Sequence, residues 1–191
     1  MSVKDGPQTG HARPQSSTDA LVRIEKQVRD IPDFPKPGIL FKDITPILSD
    51  AEAFQTTLQL LEERLRPLSP TRLVGIESRG FLFAAPLADR LRLGVVPVRK
   101  PGKLPYRVLR EEYTLEYGSG VLEMHEDAVA GQRVVIIDDL LATGGTAAAA
   151  ARLCQRLGAD VVGHLFVIEL AFLSGRRLLG DPPVEALLVY R

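Results

Sequence analysis

The sequence predicts an α/β domain whose central sheet is mostly parallel and flanked by helices. Three observations lead there. Short runs rich in Val, Ile and Leu recur along the chain, amphipathic stretches lie between them, and turn residues punctuate the two. At 191 residues there is room for one domain with a sizeable core, but not comfortably for two.

The elements follow in order. Residues 1–18 hold only Lys4 and Arg13 as lysine or arginine, among Gly, Pro, Gln, Ser and Thr, and read as a disordered extension before a single domain over 19–191. Leu21, Ile24 and Val28 predict a helix over 19–29, capped by Thr18 or Asp19. Pro32, Pro35 and Pro37-Gly38 force an extended, turn-rich segment. Ile39-Leu40-Phe41 resumes apolar character until Asp43 and Thr45-Pro46 close it. The box Ser49-Asp50-Ala51-Glu52 opens a helix with Ser49 as cap and the stripe Phe54, Leu58, Leu61 and Leu65. Strand 73–76, turn Glu77-Ser78-Arg79-Gly80, helix 81–91 and strand 95–98 come next, then a basic loop over 99–110. Residues 114–117 and 121–124 read as two strands joined at Gly118-Ser119-Gly120. Strand 133–137, helix 145–157 and strands 161–168 and 184–189 complete the alternation.

Charge excludes some classes of partner. The 24 basic and 24 acidic residues cancel, so no global field draws nucleic acid or an anionic membrane, and an anionic ligand needs a local site. No apolar run approaches the roughly 18 residues of a membrane span. Cys154, the lone cysteine, rules out an intrachain disulfide and a cysteine-rich metal site, and fits a reducing cytoplasm.

The chemistry concentrates where open α/β sheets bind ligands, at the carboxyl ends of strands. The strand ending at Ile137 delivers Asp138 and Asp139 together. The loop Ala142-Thr143-Gly144-Gly145-Thr146 then opens an alanine-rich helix, and its backbone N–H groups suit a phosphate monoester. Acids three to six residues ahead of such a cradle stand about one ribose away. A solvated strand end and a plain turn are the bland alternative. Neither G-x-x-x-x-G-K-[ST] nor G-x-G-x-x-G occurs in the chain.

Residues 135–146 resemble the phosphoribosyl pyrophosphate motif of the type I phosphoribosyltransferases. Four further segments are similar to the adenine phosphoribosyltransferases in particular: Pro32-Asp33-Phe34-Pro35 through Pro46, Glu77-Ser78-Arg79-Gly80-Phe81, Arg99-Lys100-Pro101-Gly102-Lys103-Leu104-Pro105, and Leu115-Glu116-Tyr117-Gly118. The resemblance spans about residues 22–189. It implies the type I fold, with a small hood and a flexible lid, and transfer of the 5-phosphoribosyl group to N9 of adenine with Mg²⁺. No residue is assigned as a direct metal ligand, since the ion is held mainly through pyrophosphate and water. A homodimer is implied by the same analogy, and both substrates are small molecules.

On this reading Asp138 and Asp139 hold the ribose hydroxyls and favour the positive charge that develops on the ring. Ala142, Thr143, Gly144, Gly145 and Thr146 bind the 5-phosphate. Arg79, Lys103, Arg99 and Lys100 serve the pyrophosphate, and the resemblance places a non-proline cis peptide in the Glu77-Ser78-Arg79 loop. Phe41 stacks on the base while backbone groups of Ile39, Leu40, Phe41 and Lys42 read its edge. Apart from the resemblance, core packing is the better reading of that apolar triplet. Glu116 handles the adenine proton and Tyr117 shields the site. A partly exposed strand glutamate is the competing reading for Glu116. His125 and His164 read as structural. The rivals are a phosphoribosyltransferase for hypoxanthine, guanine, xanthine or orotate, and a regulator that senses phosphoribosyl pyrophosphate.

Overall fold

A computed structural model describes residues 17–115 and 118–191, so most of the N-terminal extension lies outside the described residues. Helix α1 (Ser17–Glu25) starts two residues ahead of the helix start predicted at Asp19. It stops short of Arg29 because the N–H groups of Gln27 and Val28 turn back three residues, to the carbonyls of Ile24 and Glu25 at 3.0 Å. Arg29 then starts β1 (Arg29–Pro32), which pairs antiparallel with β2 (Leu40–Asp43). The reversal between them uses Asp33 at φ 58° and Gly38 at φ 85°, and Asp33 Oδ1 accepts from the Gly38 N–H at 2.8 Å. This ribbon is the hood. The Phe34-Pro35 peptide within it is cis.

Thr45-Pro46 opens an element instead of closing one. Asp43 accepts from Thr45 N at 2.9 Å and Thr45 Oγ1 at 2.6 Å, and α2 (Thr45–Ser49) begins with Pro46 in its first turn, where the missing N–H has no helical partner to lose. Ser49 is spent in that helix. Asp50 therefore caps α3 (Ala51–Leu65), accepting from Ala53 N at 2.8 Å. The expected stripe holds: Leu58, Leu61 and Leu65 are buried, with Phe54 at their edge.

From there the chain runs β3 (Arg72–Ile76), α4 (Arg79–Leu91), β4 (Gly94–Val98), β5 (Val108–Leu115), β6 (Gly118–His125), β7 (Arg133–Leu141), α5 (Gly145–Arg156), β8 (Asp160–Leu170) and β9 (Val184–Tyr190). The five-stranded sheet has the order β4-β3-β7-β8-β9, and every pairing in it is parallel. After β3 the chain moves one way to β4; after β7 it moves the other way to β8. The carboxyl ends of β3 and β7 thus flank a topological switch point, where a crevice opens.

Alternation along β7 separates two cores. Val134 and Ile136 face α5 and the arm formed by β5 and β6, while Val135 and Ile137 face α1, α3 and α4. Five consecutive alanines, Ala147 through Ala151, let α5 lie close to the sheet, and all are buried. The strand itself is longer than predicted. β8 continues to pair with it past Asp138, through Leu140↔Ile168 and Leu141↔Glu169, so both acids sit inside the ladder. The arm also differs from expectation. It begins at Val108, and Gly118-Ser119-Gly120 belongs to β6, where Gly120 faces Tyr113 across the pair. No helix among the described residues is long and apolar enough to cross a membrane.

Candidate active site

The phosphate cradle follows directly from the end of β7. Gly144 takes φ 85° as N-cap of α5, and no side chain caps the helix. The amide groups of its first turn are left for a ligand, as a phosphate requires. Gly144 is also pinned from behind, since a Cβ there would stand 2.3 Å from the Gly175 carbonyl oxygen. A Cβ on Gly175 would in turn meet the Ala142 carbonyl oxygen at 2.1 Å. Segment 171–178, which follows β8, is thereby stacked against the cradle by two glycines. Glu169 and Arg176 tie that segment down with paired 2.6 Å hydrogen bonds.

The acid pair faces a cleft of about 310 Å³ lined by Glu77, Ser78, Arg79, Lys100, Tyr113 and residues 138–147. Asp139 is 2% exposed, and its backbone N–H donates to Asp138 Oδ1 at 2.9 Å. Burial pushes both carboxyls above the ordinary carboxylate range. Asp138 rises well above it, because the neighbouring Asp139 charge adds to burial, whereas Arg79 offsets part of the effect at Asp139. Arg79 Nε lies 2.8 Å from Asp139 Oδ2, yet that buried oxygen has no aligned hydrogen bond. β3 ends at Ile76 and α4 starts at Arg79, with the cis Glu77-Ser78 peptide between them. Gly80 allows α4 to touch β7: a Cβ there would lie 2.5 Å from the Ile137 carbonyl oxygen.

The basic residues divide. Lys100 lines the polar cleft beside the acid pair. Arg99 turns inward, its Nε donating to Glu77 Oε2 at 3.2 Å and its Nη1 to the Lys103 carbonyl at 3.2 Å. Lys103 is exposed and stands outside the lining. Burial favours the neutral acid at Glu77, but the Lys100 N–H and Arg99 outweigh it and hold the carboxyl below its ordinary range.

A second, largely apolar cleft of about 470 Å³ lies between the hood and the sheet. Ile39, Leu40, Phe41 and Lys42 form one wall; Leu140, Leu170 and Leu173 form another. Phe41 packs edge-on to Phe34 at 5.1 Å, and the Arg79 guanidinium sits 5.3 Å from its ring centre. Ile39 already donates to Lys36 O and accepts from Phe34 N, so the backbone left to meet a ligand is that of β2 itself. The Lys42 side chain points elsewhere, to Asp30 at 2.6 Å and the Tyr190 ring at 4.1 Å, and ties hood to sheet. The two clefts meet at Leu140, Ala142 and Thr143.

Glu116 and Tyr117 lie outside the described residues. Sequence reasoning passed over Tyr113, Leu140, Leu170 and Leu173, which line the clefts. The last two could have been suspected from their place at the carboxyl end of a core strand. His164 is fully buried with neither ring nitrogen paired, and it borders neither cleft.

The phosphoribosyl transferase domain family matches residues 50–176. An adenine phosphoribosyltransferase from a Synechococcus species is 56% identical over 168 residues, covering 87% of this chain and 98% of the relative. The solved adenine phosphoribosyltransferase of Thermoanaerobacter pseudethanolicus superposes with a TM-score of 0.87 at 52% identity, over 89% of this chain and 99% of that one. The Saccharomyces cerevisiae enzyme, solved with an imino-altritol bisphosphate and adenine, gives a TM-score of 0.84 at 42% identity, over 90% and 99% of the two chains. A family match over most of the domain, and relatives above 50% identical over nearly their whole length, show that the chain belongs to the adenine phosphoribosyltransferases.

Proposed function

We propose that the protein transfers the 5-phosphoribosyl group of phosphoribosyl pyrophosphate to N9 of adenine, forming AMP and pyrophosphate. One observation carries the reading. A polar cleft ending in an uncapped helix N-terminus and an apolar cleft walled by Phe41 open into each other at Leu140, Ala142 and Thr143. A sugar phosphate in the first and a flat base in the second bring C1 of the ribose against N9.

In the reaction N9 bonds to C1 as the C1–O bond breaks, and the electron pair leaves with pyrophosphate. Positive charge builds on the ribose ring, and the Asp138–Asp139 pair lies beside it in a low-dielectric site where fixed charge acts strongly. The amides of Gly145 and Thr146 hold the 5-phosphate, and the Thr143 and Thr146 hydroxyls add to them. Arg79 and Lys100 face the departing pyrophosphate, with Lys103 joining from the exposed loop. Arg99 acts on this reading through Glu77 and the Lys103 backbone. Phe41 stacks on the base, and the β2 backbone from Leu40 to Lys42 reads its edge. Glu116 takes the N9 proton and Tyr117 screens the site from water.

Magnesium fits as a companion of the donor. Asp139 Oδ2 is a buried oxygen without an aligned hydrogen bond, and among the described residues no three His, Cys, Asp or Glu side chains gather to hold a metal. Asp138 and Asp139 would face the ion through water, with the pyrophosphate oxygens as its main ligands. Bound there, it supplies neutralising charge to the pyrophosphate. The reading extends by family resemblance to a cytoplasmic homodimer that acts on small molecules, with neither nucleic acid nor membrane as partner.

The test incubates the pure protein with phosphoribosyl pyrophosphate, Mg²⁺ and each nucleobase in turn. AMP is expected from adenine. Absence of AMP, or IMP formed as fast from hypoxanthine, would overturn the assignment.

A further inference from the structure

The basic loop over 99–107 is the least regular part of the donor site, yet its backbone is held at several points. Glu77 takes it from the end of β3, accepting from Lys100 N at 2.9 Å. The opposite anchor is Glu123, in the middle of β6. Its side chain is 1% exposed, its Oε2 accepts from the Gly102 N–H at 3.0 Å, and its Oε1 accepts from Arg110 Nε at 2.7 Å. Its backbone pairs with Arg99 in both directions, at 2.9 and 2.7 Å. Gly102 takes φ 74°, the turn that directs its N–H inward to this carboxylate.

We propose that Glu123 is the positioning residue of the basic loop: from the arm it fixes Gly102 and Arg99, and so sets Lys100 at the donor cleft. Three features favour this over a plain stabilising ion pair. The carboxylate is buried while Arg110 is 66% exposed, so the charge partner alone does not account for a fully desolvated acid. The second acceptor oxygen is spent on loop backbone, two residues from Lys100. The backbone of Glu123 also pairs with Arg99 in both directions, so main chain and side chain of one residue hold the loop at two separate points. The ligand concerned is the pyrophosphate group, free or within the donor. This inference rests on the proposed phosphoribosyl transfer.

Glu123→Gln keeps the side-chain volume but leaves only one oxygen for two donors, so its amide NH₂ faces either Gly102 N–H or Arg110. Glu123→Ala removes both contacts, and Arg110→Ala removes only the exposed partner. Expected for Glu123→Gln is a KM for phosphoribosyl pyrophosphate raised about tenfold, the scale of a lost charge-assisted hydrogen bond. Its kcat and its KM for adenine stay within about twofold, and Arg110→Ala stays near wild type. Titration calorimetry with inorganic pyrophosphate reads the same loss without turnover. A folded Glu123→Gln protein whose donor KM and pyrophosphate affinity match wild type, its melting temperature alone having dropped, makes Glu123 a structural ion pair and ends the proposal. An equal rise in both KM values ends it too. Wild-type protein that forms no AMP defeats the underlying reading instead, so the two failures are distinct.

Discussion

The donor cleft and the base cleft share three residues and are built in opposite ways. The donor cleft is polar, charged and made at the sheet itself: acids inside β7, a helix start without a cap, an arginine at the first position of α4. The base cleft is apolar and assembled from three distant pieces, the hood, the end of β7 and the segment after β8. On the proposed reading the difference follows from the ligands. Phosphate and ribose need charges and amides at fixed spacing, which rigid strand ends provide. A flat base needs area and one edge of backbone, which a strand pairing on a single side can supply.

The largest effect should come from the acids. Asp139→Asn removes a buried carboxylate that the proposed reading sets beside the ribose, and leaves Arg79 without its ion-pair partner. A drop of about 10²-fold in kcat is expected, in the range for a preorganised electrostatic group, with the KM for adenine nearly unchanged. Steady-state kinetics with each substrate varied in turn measures both. Wild-type turnover in this variant would remove the electrostatic role from the donor half and leave binding alone to explain catalysis.

Next comes the aromatic wall. Phe41→Ala deletes a stacking surface worth about 1–3 kcal/mol per base, so the KM for adenine should rise about tenfold or more while the KM for the donor holds. A matching rise in both would mean that Arg79, which sits over the Phe41 ring, transmits the loss across the shared wall. The two halves would then act as one site.

The same contrast governs what could be read from the sequence. The donor half lies largely in one contiguous run, so Asp138, Asp139 and the cradle were legible as chemistry before any fold was known. The end of β7 was misjudged because its length is set by β8, a partner that local pattern does not reveal. In the base half Leu140, Leu170 and Leu173 carry no chemical signature, and only their convergence makes them a wall. Arg99 shows the limit from the other side. Its charge is visible in sequence, but its direction, toward the Glu77 carboxylate and the Lys103 carbonyl, depends on the loop being anchored from two strands. The helix caps fell the same way: Ser49 was the better motif residue, and α2 had already consumed it.

A smaller effect separates the halves by stability. A carboxyl whose pKa is higher in the folded state binds a proton more readily there than in the unfolded chain. Its burden is absent below the unfolded value near 3.9, grows as pH climbs through the raised value, and is complete above it. Asp138 is such a group, pushed up by burial and by Asp139. Asp138→Asn keeps an oxygen for the Asp139 N–H and discards the charge. It should melt a few degrees above wild type at neutral pH, given about 2–4 °C per kcal/mol in a chain of this size, and the gain should shrink on acidification. His164 acts with the opposite sign over much of that range: burial pushes its pKa down from 6.5 to about 4, so the fold loses stability as pH falls through that window. It is present in both proteins and cancels in their difference. Thermal melts of Asp138→Asn, Phe41→Ala and wild type across pH decide the matter. A pH-dependent gain confined to the Asp138 variant means that the donor half holds its charge at the expense of the fold, while the base half does not. No gain at neutral pH would mean that Arg79 already compensates the pair.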